Sequence, residues 1–163
     1  MALTAAKRYT MQNRNNEYIY SYPVRNGVTI YYGALVGIST IGVTDGRVVN
    51  WSSGSGALRF LGIAIPRGTR DQADSVTGNS AGTVKCEVNE GGPTLENVAV
   101  TGLNSADDVG DPVYASDEDT FTLTPTSNVG SIGWVKKYVS SGRGDVQLFS
   151  ANEYRANQDV GQV

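Results

Sequence analysis

The sequence predicts an all-β protein, a compact β-barrel or sandwich of short strands with an extended N-terminal arm. Three observations carry that expectation. Twenty glycines punctuate the 163 residues. Between them stand short runs rich in β-branched and aromatic residues, at roughly even spacing. No run in the body keeps the spacing of an amphipathic helix. Such a rhythm fits a closed or sandwiched sheet. A chain of this length is expected to form one domain that buries about 70% of the surface its unfolded form exposes.

Residues 1–26 stand apart from the rest. They are polar, carry Lys7, Arg8, Arg14 and Arg25, and include Tyr9, Tyr18, Tyr20 and Tyr22. With little apolar surface to bury, the segment reads as an extended arm that orders against a partner. The body, residues 27–150, follows. "GVTIYYGALVGIST" and "FLGIAI" are strand-forming by composition. Asp45-Gly46, between apolar runs, signals a two-residue hairpin turn because its centre needs positive φ. "TVKCEV" alternates: Val84, Cys86 and Val88 on one face, Thr83, Lys85 and Glu87 on the other. Cys86 is therefore expected as a small core residue. "ENVAV", "DPVYA", "TFTLT", "SIGWVKKYV" and "DVQLF" complete the strands. Val113 and Ala115 lead into Asp117, Glu118 and Asp119, and Phe121 and Leu123 lead out, which predicts a hairpin with a solvated acidic turn. In the tail, 151–163, Ser150 and Glu153 have capping-box spacing for a short helix.

Composition narrows the chemistry. With one cysteine and no histidine, intrachain disulfides and imidazole-dependent nucleophiles are excluded. The acids at 107–119 lack the spacing of an EF-hand loop, so no metal and no cofactor are expected there. A hydrolase using two of Asp107, Asp108, Asp111 and Glu118 would need carboxylates facing each other across a cleft, which sequence does not show. No apolar segment approaches membrane-spanning length, and no secretory leader is visible, so synthesis in the cytoplasm is expected. Residues 1–70 carry eight bases and two acids, a net +6, while residues 71–163 carry five and fourteen, a net −9. The acidic second half argues against a nucleic-acid-binding body. "RGD" at Arg143–Asp145 has the letters of an integrin ligand but reads as ordinary turn chemistry, and "NWS" at Asn50–Ser52 fits a glycosylation acceptor that, without a secretory signal, would not meet the enzyme. "GSG" at Gly54–Gly56 is not a phosphate loop, while Arg59, Arg67 and Arg70 are cations able to contact phosphate. Trp51, beside "SSGSG", is expected to be exposed, and Trp134, between Ile132 and Val135, to be core.

The ordered features "GALVGIS", "FLGIAIPRG", "AGTVKCEVNEGG", "GDPVYASDEDTFTLTP" and "GSIGWVKKYVSSGRGDVQLF" span about residues 30–150. In that order they resemble the small capsid decoration, or cement, proteins of tailed double-stranded DNA bacteriophages. The N-terminal arm and the insertion at 67–80 depart from the shorter family pattern. The resemblance implies a non-enzymatic protein on the outer surface of an assembled head. There it would contact the major capsid protein, commonly as a homotrimer with a dimer as the other option, and hold neighbouring capsomers together. Neither membrane nor direct nucleic-acid contact is expected. Arg8, Tyr9, Arg14, Tyr18, Tyr20, Tyr22 and Arg25 are the expected contact residues, since tyrosine and arginine are enriched at interfaces. The alternative is a receptor- or glycan-binding module of a virion fibre, with tryptophan stacking on sugar.

Overall fold

Paired strands account for most of the chain in the computed structural model, which describes residues 11–12, 18–39, 46–52, 58–65, 74–125 and 130–160. The early strands are β1 (Met11–Gln12), β2 (Ile19–Pro23), β3 (Thr29–Tyr31), β4 (Leu35–Ser39), β5 (Val48–Asn50), β6 (Leu58–Ile65) and β7 (Ser75–Thr77). The later ones are β8 (Lys85–Asn89), β9 (Thr94–Thr101), β10 (Pro112–Ala115), β11 (Phe121–Thr122), β12 (Gly133–Ser140) and β13 (Arg143–Leu148), followed by helix α1 (Ala151–Val160). The all-β expectation holds. No helix among the described residues is long and apolar enough to cross a membrane.

The later strands close on themselves in the order β9-β11-β10-β12-β13, with β13 returning to β9. β11 joins β9 in parallel and the other pairings in the ring are antiparallel. Closure removes the open edges that would otherwise invite unwanted pairing. Leu95, Val98, Val100, Val113, Phe121, Val135, Val146 and Leu148 fill the interior. Leu95 and Val98 both face inward although three residues apart, because a register shift opposite Gly144–Val146 inserts an extra residue in β9. Asn97 takes up that bulge with φ 51°.

The earlier strands form a second sheet, β2-β8-β6-β4-β5. A parallel bridge between Val24 and Val48 brings its two ends together. The Arg25 N–H donates to the Val48 oxygen at 3.1 Å beside it. The β3–β7 ribbon lies alongside, and Val24, Ile30, Val36, Val48, Leu61, Ala64, Cys86 and Val88 form a second core. Cys86 is buried, as its alternation requires.

β6 explains the unbroken apolar run "FLGIAI". Phe60, Ile63 and Ile65 point to the barrel core while Leu61 and Ala64 point to the second core, so both faces are buried. The pairings Val36–Gly62 and Gly37–Phe60 skip Leu61, and this bulge changes which side the following residues face. Gly62 is required there: a Cβ on it would stand 2.1 Å from the Asn89 oxygen.

The expected arm needs correction over its second half. Residues 19–23 are strand β2, paired with β8 from Ile19–Asn89 to Pro23–Lys85, and Val24 is a fully buried core residue. The body thus starts by Tyr18 rather than at Gly27, because alternating apolar positions in "YIYSYPV" find a strand to pair with that is distant in sequence. Met11–Gln12 also pairs, with Leu95 and Thr94 of β9. Residues 1–10 and 13–17 lie outside the described residues.

Candidate functional site

Strand β2 concentrates the interface-type residues. Tyr18, Tyr20 and Tyr22 recur at every second position and therefore share one face, opposite Val88 and Cys86. Tyr18 is 48% exposed and Tyr20 50%, the largest exposures among the aromatic rings described. Tyr22 is half-buried and its hydroxyl donates to the Glu90 carboxylate. Burial, followed by that bond to a carboxylate, pushes the Tyr22 phenol well above its ordinary range. Arg25 is exposed one residue past Val24. The structure thus brings Tyr18, Tyr20, Tyr22 and Arg25 onto one short segment. Arg8, Tyr9 and Arg14 lie outside the described residues.

Among the described residues, β2 pairs along its length with β8 and meets β5 only past its end, where the Arg25 N–H reaches Val48. The Val24 N–H donates to Val84 and the Glu90 N–H to Tyr18, each at 2.9 Å. Even-numbered residues therefore carry the pairing to β8, and the main-chain groups of Ile19 and Ser21 point outward. Pro23 is compatible with that outer position because it has no N–H to place.

The acidic stretch forms the turn of a hairpin. Ala115 pairs with Phe121, and the Ser116 N–H reaches Thr120 at 3.1 Å, closing the expected hairpin. Asp117 accepts the Asp119 N–H at 3.1 Å in an Asx turn. Glu118 corrects the expectation of a solvated turn: it is only 6% exposed, and its carbonyl takes the Leu35 N–H at 2.8 Å. The turn tucks under the second sheet. Asp108 caps the helical turn Ala106–Asp108, accepting the Asn104 and Ser105 N–H groups at 2.7 and 2.9 Å. Those donors hold its carboxyl below the usual range. Asp107 and Asp111 are exposed. Among the described residues, no group of three or more histidine, cysteine or acidic side chains is placed to hold a metal ion.

The two tryptophans exchange the places expected of them. Trp51 is fully buried, donates its indole N–H to Ala115 at 3.1 Å, and packs edge-on against Phe60 and Tyr154. Trp134 is half-buried on the outside of the barrel, 5.4 Å from the Phe149 ring. Val135 faces the core, so Trp134 must face out. "RGD" lies in β13, with both charged groups engaged on Asn97. Arg59 is exposed on β6, while Arg67 and Arg70 lie outside the described residues.

Sequence reasoning missed the turn Glu90-Gly91-Gly92, where the segments at Tyr18 and at Leu148–Ala151 meet. A Cβ on Gly91 would stand 2.9 Å from the Tyr18 side chain, and one on Gly92 would stand 2.7 Å from the Leu148 oxygen. Paired glycines before Pro93, between two strong strands, were the signal. No family model, no curated protein and no solved structure matches the chain.

Proposed function

We propose that the chain is a capsid decoration protein: a structural, non-enzymatic component that seats on the outside of an assembled bacteriophage head and clamps neighbouring capsomers. The observation that carries this reading is the pair of half-exposed tyrosines, Tyr18 and Tyr20, fixed on an outer strand. Large aromatic rings left in water are poor choices for a surface without a partner, and tyrosine is a preferred interface anchor. The order of features over residues 30–150 that resembles phage decoration proteins supports the same reading.

In this reading the major capsid protein meets Tyr18, Tyr20 and Arg25, and self-association into a trimer multiplies the contacts. Once one seat is taken, the others bind within the same particle, so their effective concentration is high. Because β2 is already paired with β8, Tyr18 and Tyr20 lose less freedom on binding than residues of an unfolded arm would.

The test is co-sedimentation with purified heads. Tyr18→Thr/Tyr20→Thr keeps strand-forming residues at both positions. It should leave the unfolding midpoint nearly unchanged and weaken attachment by about tenfold or more. Undiminished attachment refutes the seat, and a wild-type chain that never sediments with heads refutes the function.

A second reading, a glycan-binding module of a virion fibre, draws on the half-buried Trp134 beside Phe149. Since Trp51 is buried, saturable quenching by sugars would report Trp134 and favour this reading.

A further inference from the structure

We infer that helix α1 is a releasable strap that sets how firmly the tyrosine-bearing strand β2 is held, with Glu90 as the residue joining the two. Three bonds converge on Glu90. Its N–H donates to the Tyr18 carbonyl at 2.9 Å, its carboxylate accepts the Tyr22 hydroxyl, and its carbonyl accepts the Ala151 N–H at 3.2 Å. The first two tie Glu90 to Tyr22 of β2 and to Tyr18 just before it, beside the ladder with β8, and the third holds the first residue of α1. The adjoining glycines let both segments approach: Tyr18 lies over Gly91, and the backbone of 148–150 lies over Gly92.

The helix itself is weakly held. From Ala151 to Asn157 only Ala151 and Tyr154 are buried. A helix of ten residues is marginal in isolation. Its start depends on a capping box in which the Ser150 N–H donates to the Glu153 carboxylate at 2.7 Å and the Glu153 N–H donates to the Ser150 hydroxyl at 3.2 Å. Its attachment depends on Tyr154, whose ring meets Phe60 at 5.6 Å and Trp51 at 5.9 Å. Release of α1 withdraws the Ala151 donor from Glu90, leaving the residue bonded to Tyr18 and Tyr22 less constrained. By linkage, a partner gripping Tyr18 and Tyr20 steadies Glu90 and with it the helix. The use of this coupling at a capsid rests on the function proposed above; the coupling does not.

Hydrogen exchange on the full-length Ser150→Ala chain tests it. Loss of the cap should speed amide exchange in α1 about fivefold. The amides of Tyr20 and Tyr22 should speed in step, while the β12–β13 hairpin stays at wild-type rates. A faster α1 with unchanged β2 overturns the coupling, and so does an equal rise across β12–β13, which would mean general loosening. Glu153→Ala, which removes the other half of the capping box from the surface of the helix, must give the same pattern. Adding Tyr22→Phe to either variant should shrink the effect on Tyr20, because one of the links through Glu90 is gone. An undiminished effect overturns the role of the Glu90 carboxylate. In the head-binding assay, Ser150→Ala should weaken attachment. Wild-type affinity despite a loosened β2 overturns the gating of the seat, whereas failure of the wild-type chain to bind counts against the proposed function alone.

Discussion

The indole N–H of Trp51 donates to the carbonyl oxygen of Ala115 at 3.1 Å, and this bond ties the second sheet to the barrel. Trp51 directly follows β5, Ala115 ends β10, and Phe60 and Tyr154 enclose the ring. Trp51→Phe should therefore destabilise the fold by about 2–4 kcal/mol, from lost volume and an unpaired buried carbonyl. Urea denaturation reads this directly. In Trp134→Phe, the remaining Trp51 emission should be blue-shifted and resist acrylamide. Quenching like that of a free indole would contradict its burial.

Asn97 is the only residue other than glycine with positive φ among those described. Its side chain accepts from the Arg143 Nε at 2.8 Å, its carbonyl accepts from the same guanidinium, and its N–H donates to Asp145 at 2.9 Å. Asn97→Ala should cost about 1–2 kcal/mol from backbone strain and the lost side-chain bond. Asn97→Gly should cost less, since glycine relieves the strain. Comparable unfolding midpoints for the two variants would show that φ is not what selects asparagine.

Two glycines with positive φ should respond very differently to alanine. At Gly62 a Cβ would collide with the Asn89 oxygen at 2.1 Å, and the bulge that lets β6 face two cores would be lost. Gly62→Ala should fail to yield soluble, cooperatively folding protein. At Gly110, φ 99°, nothing stands within 4 Å of the added carbon. Gly110→Ala should fold and lose only about 1–2 kcal/mol of stability. Soluble expression and thermal melts separate these outcomes.

Stability should fall in alkali earlier than solvent-exposed groups would require. Burial pushes the Cys86 thiol from its ordinary 9.0 up to about 12, and the Tyr154 phenol from 10.0 up to about 12. A group with a raised folded pKa stabilises fully below its unfolded value and loses that contribution as pH climbs towards the folded one. The Cys86 contribution should be intact at pH 8 and decline between about pH 9 and 12. Cys86→Ala should remove the earlier onset, leaving a decline that starts nearer pH 10 with Tyr154. Urea midpoints across pH 7–11 check this, as does slow alkylation of native Cys86 at pH 8.

Features set by neighbours in sequence were readable. The 115–121 hairpin, the alternation that buries Cys86 and the Ser150–Glu153 box all formed as expected, because each depends on spacing over a few residues. The two-residue turn expected at Asp45-Gly46 does not join β4 to β5: Ile38 pairs with Val48 and Val36 with Asn50, a register that a turn centred on 45–46 would not give, and Asp45 itself lies outside the described residues. The tryptophans were misread because local polarity was used in place of strand parity. "SSGSG" beside Trp51 suggested water, but the ring is covered by Phe60 and Tyr154, distant in sequence. For Trp134, parity with the inward Val135 was the better guide.

The sequence alone determined the class of the fold, the positions of most strands, the core placement of the single cysteine and the tyrosine-rich character of the first 32 residues. These follow from periodicity and composition, which act over one strand or one turn. Only the tertiary structure decided that Ile19 to Pro23 belongs to a sheet, that Glu118 is buried, and that Tyr18 and Ala151 meet at Glu90. Those outcomes depend on which distant segments find each other, and that is set by the shapes of two cores filled together, information that no local window of residues contains.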